Sequence, residues 1–224
     1  MTRRKVVRVL DLCSGTQSVG RAARLVFGAA NVEYTSVDLD PRSDPTHVAD
    51  MRKFDYRKHF RPGDFDLVWA SPPCTQYSIA RRRVTTPPDF KTADAIVKAC
   101  FEVIRYLKPE KWYLENPATG LLKGRAFMRP YAPFMKVASY CKYGFPYRKQ
   151  TSIWTNVEVE LRNCSTHPCP HKRRTGKHAQ LAQRGPNGGA SDGTYTWATS
   201  SNELYRVPMG LLRQLFEAPR AAGR

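Results

Sequence analysis

Apolar and polar positions alternate between two periods along this chain, and the changes of period mark out its elements. Val6 to Leu12 is a short apolar run ending in Asp11-Leu12-Cys13-Ser14-Gly15, which predicts a strand, a small-residue turn and then a helix through Val26. Glu33 to Val37 predicts a second strand, closed by Asp38-Leu39-Asp40-Pro41. Phe65, Leu67, Val68, Trp69 and Ala70 lie between Pro62-Gly63 and Ser71-Pro72-Pro73, and predict a buried parallel strand that stops in a rigid turn. From Thr92, the residues Ile96, Ala99 or Cys100, Val103 and Leu107 recur at helical spacing before Pro109. Lys111 to Leu114 predicts a strand running into Glu115-Asn116-Pro117. Ser139 to Gly144 and Thr151 to Thr155 predict two more, joined by a turn that carries Arg148 and Lys149. Pro208 opens a last helix whose face of Leu211, Leu212, Leu215 and Phe216 should dock back on the sheet.

Strands that alternate with helices predict an α/β fold built on a mainly parallel sheet. Between about 156 and 202 the periodicity fades into Gly, Ser, Thr, Asn, His, Cys and Arg, which predicts an irregular module. The chain therefore divides into a core at 1–156, a short basic Cys/His module at 157–203 and a returning helix at 204–224. At 224 residues it suits one domain with a small insertion.

Charge changes the picture from fold to partner. Lys and Arg number 37 against 19 Asp and Glu, a formal net charge of +18. Such a balance points to a polyanionic partner, most plausibly nucleic acid, where the bland alternative is a merely soluble basic surface. The apolar runs are far shorter than the ~20 residues of a membrane span, and the basic start lacks a signal-peptide apolar region, so an intracellular protein without a membrane partner is expected. The six cysteines are scattered at 13, 74, 100, 141, 164 and 169, unlike a secreted disulfide framework.

Candidate chemistry gathers at predicted strand ends. Cys74 stands stiffly behind Pro72-Pro73, where open α/β sheets place their chemistry, as a candidate nucleophile; a space-filling cysteine is the other reading of that segment alone. Glu115 ends the neighbouring strand and could face the same cavity. The turn at 11–15, with Gly20 beyond it, has the form of a nucleoside cradle; Asp38 is placed for ribose hydroxyls and Asp50 for the adenine side, although each acid could instead cap a helix. Arg81, Arg82 and Arg83 form a basic loop next to Cys74, either closing over a phosphate backbone or simply solvated. In the module, Cys164, Cys169 and His178, with His171 or His167 as the fourth, could hold a tetrahedral zinc, among Lys172, Arg173 and Arg174; exposed histidines in a basic loop are the alternative.

A thiolate that adds to carbon 6 of a pyrimidine makes carbon 5 nucleophilic, provided a group on the ring's far side stabilises the charge. In collinear order, DLCSG at 11–15, SPPCTQYS around Cys74, LENP around Glu115, YGFPYRKQTSIWTN at 143–156 and LYRVP at 204–208 resemble the motifs of the cytosine-5 DNA methyltransferase family. The resemblance implies the class I methyltransferase (Rossmann-like) sheet and S-adenosylmethionine as cofactor, with DNA as substrate. It also implies Cys74 as nucleophile and Glu115 and Asn116 holding the target base and its loop. By the same resemblance Asp11, Cys13, Ser14, Gly15, Thr16, Gln17, Asp38, Leu39, Asp50 and Pro72 hold the cofactor, and Gln76, Ser78 and Lys149 join the arginines on nucleic acid.

Two departures stand out. Where the family commonly has Phe and then a Gly pair, this chain has Cys13, Gln17 and Ser18. Where it usually carries an arginine shortly before the Ile-aromatic pair, Thr151 or Ser152 stands, with Arg148 as the available substitute. Compact members of this kind occur in phages and large DNA viruses, which implies a site of action in a host cytoplasm or nucleus. Methylation of RNA, methylation of an exocyclic amine, and a binding protein that has lost catalysis stay open as alternatives.

Overall fold

Successive side chains of the central strands are buried on opposite faces, so each strand must separate two packed layers. Val9, Trp69, Tyr113 and Ile153 join one buried cluster, while their chain neighbours Leu10, Val68, Leu114 and Trp154 join another. The computed structural model describes residues 6–79, 86–181, 196–197 and 204–221.

The strands are β1 (Val7–Leu12), β2 (Val32–Asp38), β3 (His47–Val48), β4 (Leu67–Ala70), β5 (Lys111–Pro117), β6 (Met135–Ser139) and β7 (Gln150–Thr155), in the order β3-β2-β1-β4-β5-β7-β6. β1 to β5 run parallel, while β7 is inserted antiparallel between β5 and β6. This is the α/β class I methyltransferase sheet. The order reverses at β1 and β4, so a crevice opens beyond their carboxyl ends.

Helices α1 (Ser18–Phe27) and α5 (Met209–Glu217) cover one face. The last helix docks as expected: Lys111 Nζ donates to the Phe216 carbonyl at 2.8 Å and the Tyr113 hydroxyl to that of Leu215 at 2.8 Å. Helix α3 (Phe90–Leu107), capped by the Asp89 carboxylate on the Thr92 amide, covers the other face; it starts two residues before Thr92 because that cap lies further upstream. A short α2 (Tyr56–His59) precedes β4.

One expectation is corrected. The strand expected at 139–144 lies earlier, at β6, because the chain leaves the ladder after Ser139: the Tyr140 amide turns to the carbonyls of Arg148 and Lys149, residues 140–142 form a 3-10 turn, and Gly144 takes φ +93°. Within the irregular module, Pro170–Thr175 forms the short helix α4 with Pro170 in its first turn. The two-residue strands β8 (Gln180–Leu181) and β9 (Thr196–Trp197) pair beyond it. Among the described residues, no helix is long and apolar enough to cross a membrane.

Candidate active site

The turn after β1 is strained and tightly pinned. The Cys13 and Ser14 amides both donate to the Val37 carbonyl, at 2.8 and 3.3 Å, and the Gly15 amide donates to Asp38 Oδ2 at 2.8 Å. Cys13, Gly15 and Gln17 all have positive φ, of 57°, 45° and 53°. A side chain there costs about 1–2 kcal/mol, and Gln17 offsets it by donating from Nε2 to the carbonyls of Ser43 and Asp44, at 2.6 and 2.7 Å. The departure from a glycine thus ties the turn to the loop after β2.

Gly20 lets α1 approach the sheet: a Cβ there would stand 2.8 Å from the Tyr34 ring. Tyr34 in turn donates its hydroxyl to Asp11 Oδ2 at 2.7 Å. Burial, helped by the nearby Asp38 charge and only partly opposed by Tyr34, raises the Asp11 carboxyl to about 7. Asp11 Oδ1 and Ser14 Oγ are buried and have no hydrogen-bond partner among the described residues. A contact with Cys100, then burial, pushes the Cys13 thiol up, so it stays a neutral lining group rather than a rival nucleophile.

Beyond β4, the Ser71 amide donates to the Leu12 carbonyl at 3.0 Å and its Oγ accepts from Trp69 Nε1 at 2.7 Å. Asn116, on β5, donates from Nδ2 to the Pro72 carbonyl at 3.0 Å. The double-proline turn is therefore held from both neighbouring strands, and Cys74 follows it half-buried. Burial first, and then the Glu115 charge, raise the Cys74 thiol; Lys149 pulls the other way.

Glu115 is only 7% exposed. Its Oε1 accepts from the Tyr140 hydroxyl at 3.3 Å and from the Thr151 hydroxyl in a shorter contact. The antiparallel register of β7 against β5 sets Thr151 opposite Pro117 and Ser152 opposite Asn116, which brings a hydroxyl to the carboxyl from the next strand.

The turn after β1, Cys74 and Glu115 meet in one open cavity of about 1230 Å³. Its lining joins Asp11, Cys13, Ser14, Gly15, Thr16, Gln17 and Asp38 to Pro72, Cys74, Glu115 and Lys149. Tyr205, Arg206 and Val207 close it from the chain's return, although the sequence marked only their motif. Lys149 is anchored there, its Nζ on the Leu204 carbonyl at 2.7 Å and over the Tyr140 ring at 4.8 Å. Tyr34, Tyr140 and the donor role of Thr151 were not visible in the sequence, because nothing local in a strand pattern shows which hydroxyl meets which carboxyl.

Other expected residues stand apart from this lining. Leu39 is exposed, and Asp50 is engaged by its near neighbour Arg52, whose Nε donates to it at 3.0 Å. Arg148 is exposed and donates to Gln150 Oε1 at 3.3 Å. Gln76 accepts the Asp89 amide at 3.0 Å, and Ser78 is half-buried beside the same turn. Arg81, Arg82 and Arg83 lie outside the described residues. Lys172, Arg173 and Arg174 lie on α4.

The metal-ligand expectation is corrected in one position. Cys164, Cys169 and His178 do converge, but Cys141, from the turn after β6, completes the group of four; His171 and His167 are not in it. His171 sits in the first turn of α4, and the His167 Nδ1 contacts the Thr166 hydroxyl instead.

No family model matches the chain. Among solved structures, it is similar to an Entamoeba histolytica methyltransferase, at 14% identity and a TM-score of 0.49, covering 71% of this chain and little more than half, 57%, of the other. It is also similar to a predicted O-methyltransferase from Agrobacterium tumefaciens, at 10% identity and a TM-score of 0.42, covering 73% of this chain and 80% of that one. A curated protein of Frog virus 3 (isolate Goorha), named a probable DNA (cytosine-5)-methyltransferase, is 31% identical over 227 residues, covering 94% of this chain and 99% of that protein. With that identity sustained along nearly the whole of both chains, this methyltransferase belongs to the cytosine-5 DNA methyltransferase family, as a compact member of the viral type.

Proposed function

We propose that the protein methylates carbon 5 of cytosine in DNA, with S-adenosylmethionine as methyl donor and Cys74 as covalent nucleophile. The observation that carries this reading is the single cavity shared by the 11–17 turn, Cys74 and Glu115. The cofactor fits the turn end on an observation of the chain itself, since Asp11 Oδ1 and Ser14 Oγ are buried polar atoms without partners among the described residues. Asp11, Ser14, Gly15, Gln17 and Asp38 would hold it, and when bound it supplies an electrophilic methyl on a sulfonium.

At the other end, Cys74 Sγ gives its proton to a solvent base and, as the thiolate, adds to ring carbon 6. The electron pair displaced from the 5,6 double bond is shared between carbon 5 and the far side of the ring. Glu115, fixed by Thr151 and Tyr140, shares a proton with ring nitrogen 3 and stabilises that charge. After carbon 5 has gained the methyl group, loss of its proton to a solvent base restores the double bond and expels the Cys74 thiolate. Asn116 keeps Cys74 in place through the Pro72 carbonyl. In a duplex the base must leave the stack to reach this cavity, and Lys149 stands at the wall beside it.

In this reading 1–156 is the catalytic core, 157–203 a reduced target-recognition module, and 204–224 the return that closes the cavity. Action inside a host cell, on nuclear or cytoplasmic DNA, is the reading that the viral relative supports. The test is nucleoside mass spectrometry of duplex DNA, single-stranded DNA and RNA incubated with protein and cofactor. The expected result is 5-methylcytosine in DNA that vanishes in Cys74→Ala, with a denaturant-resistant complex on 5-fluorocytosine DNA. Methylation confined to RNA or to an exocyclic amine overturns the substrate; no product with the cofactor bound points to a missing partner or site, and no product without cofactor binding supports the binding-protein alternative.

A further inference from the structure

The strongest unassigned chemistry lies outside the cavity. Three thiols and one imidazole converge from segments far apart in sequence. Cys141 comes from the turn after β6, Cys164 and Cys169 flank Ser165-Thr166-His167-Pro168, and His178 follows α4. Their ligand atoms all lie within 4.8 Å of one another, and Cys164 Sγ is 3.3 Å from His178 Nε2. A tetrahedral zinc with Zn–S near 2.3 Å and Zn–N near 2.0–2.1 Å spaces its ligand atoms by roughly 3.5–3.8 Å, so a small contraction closes this group around one ion. Cys164 and Cys169 are buried, at 0% and 4% exposure, and none of the three cysteines is in a disulfide. The Cys169 amide donates to Cys164 Sγ at 3.3 Å, the kind of outer contact that supports a ligating thiolate.

Four protein ligands leave no open position, which is the pattern of a structural rather than a catalytic zinc. The segments tied together surround the 146–150 turn. Gln150 Nε2 donates to Asn163 Oδ1 at 3.2 Å and Ser165 Oγ at 2.8 Å, and the Gln180 amide donates to the Pro146 carbonyl at 3.1 Å. That turn delivers Lys149 to the cavity, and α4 carries Lys172, Arg173 and Arg174 between two of the ligands.

We propose that Cys141, Cys164, Cys169 and His178 bind one structural Zn²⁺ that fixes basic helix α4 and the Lys149 turn beside the cavity as a clamp for the DNA backbone. The clamp half rests on the proposed DNA substrate; the metal half does not.

The experiment compares wild type, Cys141→Ser, His178→Ala and His171→Ala, purified under reducing conditions with zinc supplied. Wild type and His171→Ala should each hold about one equivalent of zinc, and the two ligand variants should lose most of it. Cobalt exchanged into wild type should show the visible bands of a tetrahedral site together with sulfur-to-cobalt charge transfer. Chelation of wild type, which needs no variant to fold, should weaken binding to a short non-cognate duplex at least tenfold and leave cofactor binding intact. Lys172→Ala with Arg173→Ala should weaken duplex binding and flatten its salt dependence while zinc content stays unchanged. Metal-free reduced wild type, zinc retained in Cys141→Ser, or a Cys141 disulfide in the reduced protein overturns the metal site. Full zinc with duplex binding indifferent to chelation overturns the clamp alone.

Discussion

Asp11→Asn isolates one buried carboxyl and should reshape both stability and cofactor binding. Asp11 is 1% exposed, and its carboxyl rises from an ordinary 3.8 to about 7 in the folded chain. Folded protein then binds the proton more tightly than unfolded chain does, so this group's contribution is most favourable below about pH 4. It weakens as pH climbs toward 7 and stays at its worst above that. A rise of this size corresponds to about 4 kcal/mol. Asn keeps the shape and an acceptor for the Tyr34 hydroxyl but never ionises, so the difference between variant and wild type cancels every other titrating group. In denaturant titrations at pH 5 and pH 8, the variant should gain several kcal/mol relative to wild type at the higher pH. A positively charged cofactor reverses the sign, because it favours the ionised carboxylate. Its affinity for wild type should rise with pH, up to about tenfold per unit below 7 and level above it, with proton release seen by calorimetry in buffers of different ionisation enthalpy. Asn should bind more weakly with little pH dependence. Stability differences equal at pH 5 and pH 8, or no proton release on binding, would show that Asp11 is already ionised and refute the reasoning.

Three further perturbations probe the rest of the cavity. Because Lys149 lowers the Cys74 thiol against burial and Glu115, Lys149→Met should shift alkylation of Cys74 to higher pH and slow it severalfold at neutral pH; an unchanged profile removes Lys149 from the thiol's surroundings. Thr151→Val deletes a donor to a buried carboxyl, a loss of about 1.5–3 kcal/mol, and should cut methyl transfer roughly 10–100-fold with cofactor affinity unchanged; equal activity would show that Tyr140 alone suffices. Gly20→Ala should cost about 1–3 kcal/mol in denaturant titration, since its Cβ would meet the Tyr34 ring at 2.8 Å, and wild-type stability would mean that α1 shifts freely.

The fold was legible because its cues are local and periodic. β4 announces itself by five apolar residues between two proline turns, and α3 by residues on one face with a stop after it. What failed was local ambiguity. Ser139-Tyr140-Cys141-Lys142-Tyr143-Gly144 has strand-forming residues, yet the Tyr140 amide donates to the Arg148 and Lys149 carbonyls and the chain bends off the sheet. That misreading also hid Cys141, because a cysteine placed in a strand offered no reason to join ligands more than twenty residues away. Cys74 and Glu115 were legible as strand-end residues; Thr151 and Tyr140 were not, because their contacts with Glu115 are set by the pairing of β7.

That strand also decides which functions should fail together. β7 begins at Gln150, whose side chain is held by Asn163 and Ser165 on either side of Cys164, and the next residue is the Thr151 that donates to Glu115. Loosening this segment by chelation would therefore reach Thr151 and, through it, the Glu115 carboxyl, whereas the 11–17 turn hangs from β1 and β2 on the sheet's other half. Partial chelation should lower methyl transfer more steeply than duplex affinity, because transfer needs both the clamp and the Thr151 contact, and Kd for the cofactor should not move. With Thr151→Val in place, chelation should depress transfer only as far as it depresses duplex binding, since the second route is already cut. Cofactor affinity that falls in step with zinc content would show instead that the metal stabilises the whole sheet, and the division of labour between the two halves would have to be abandoned.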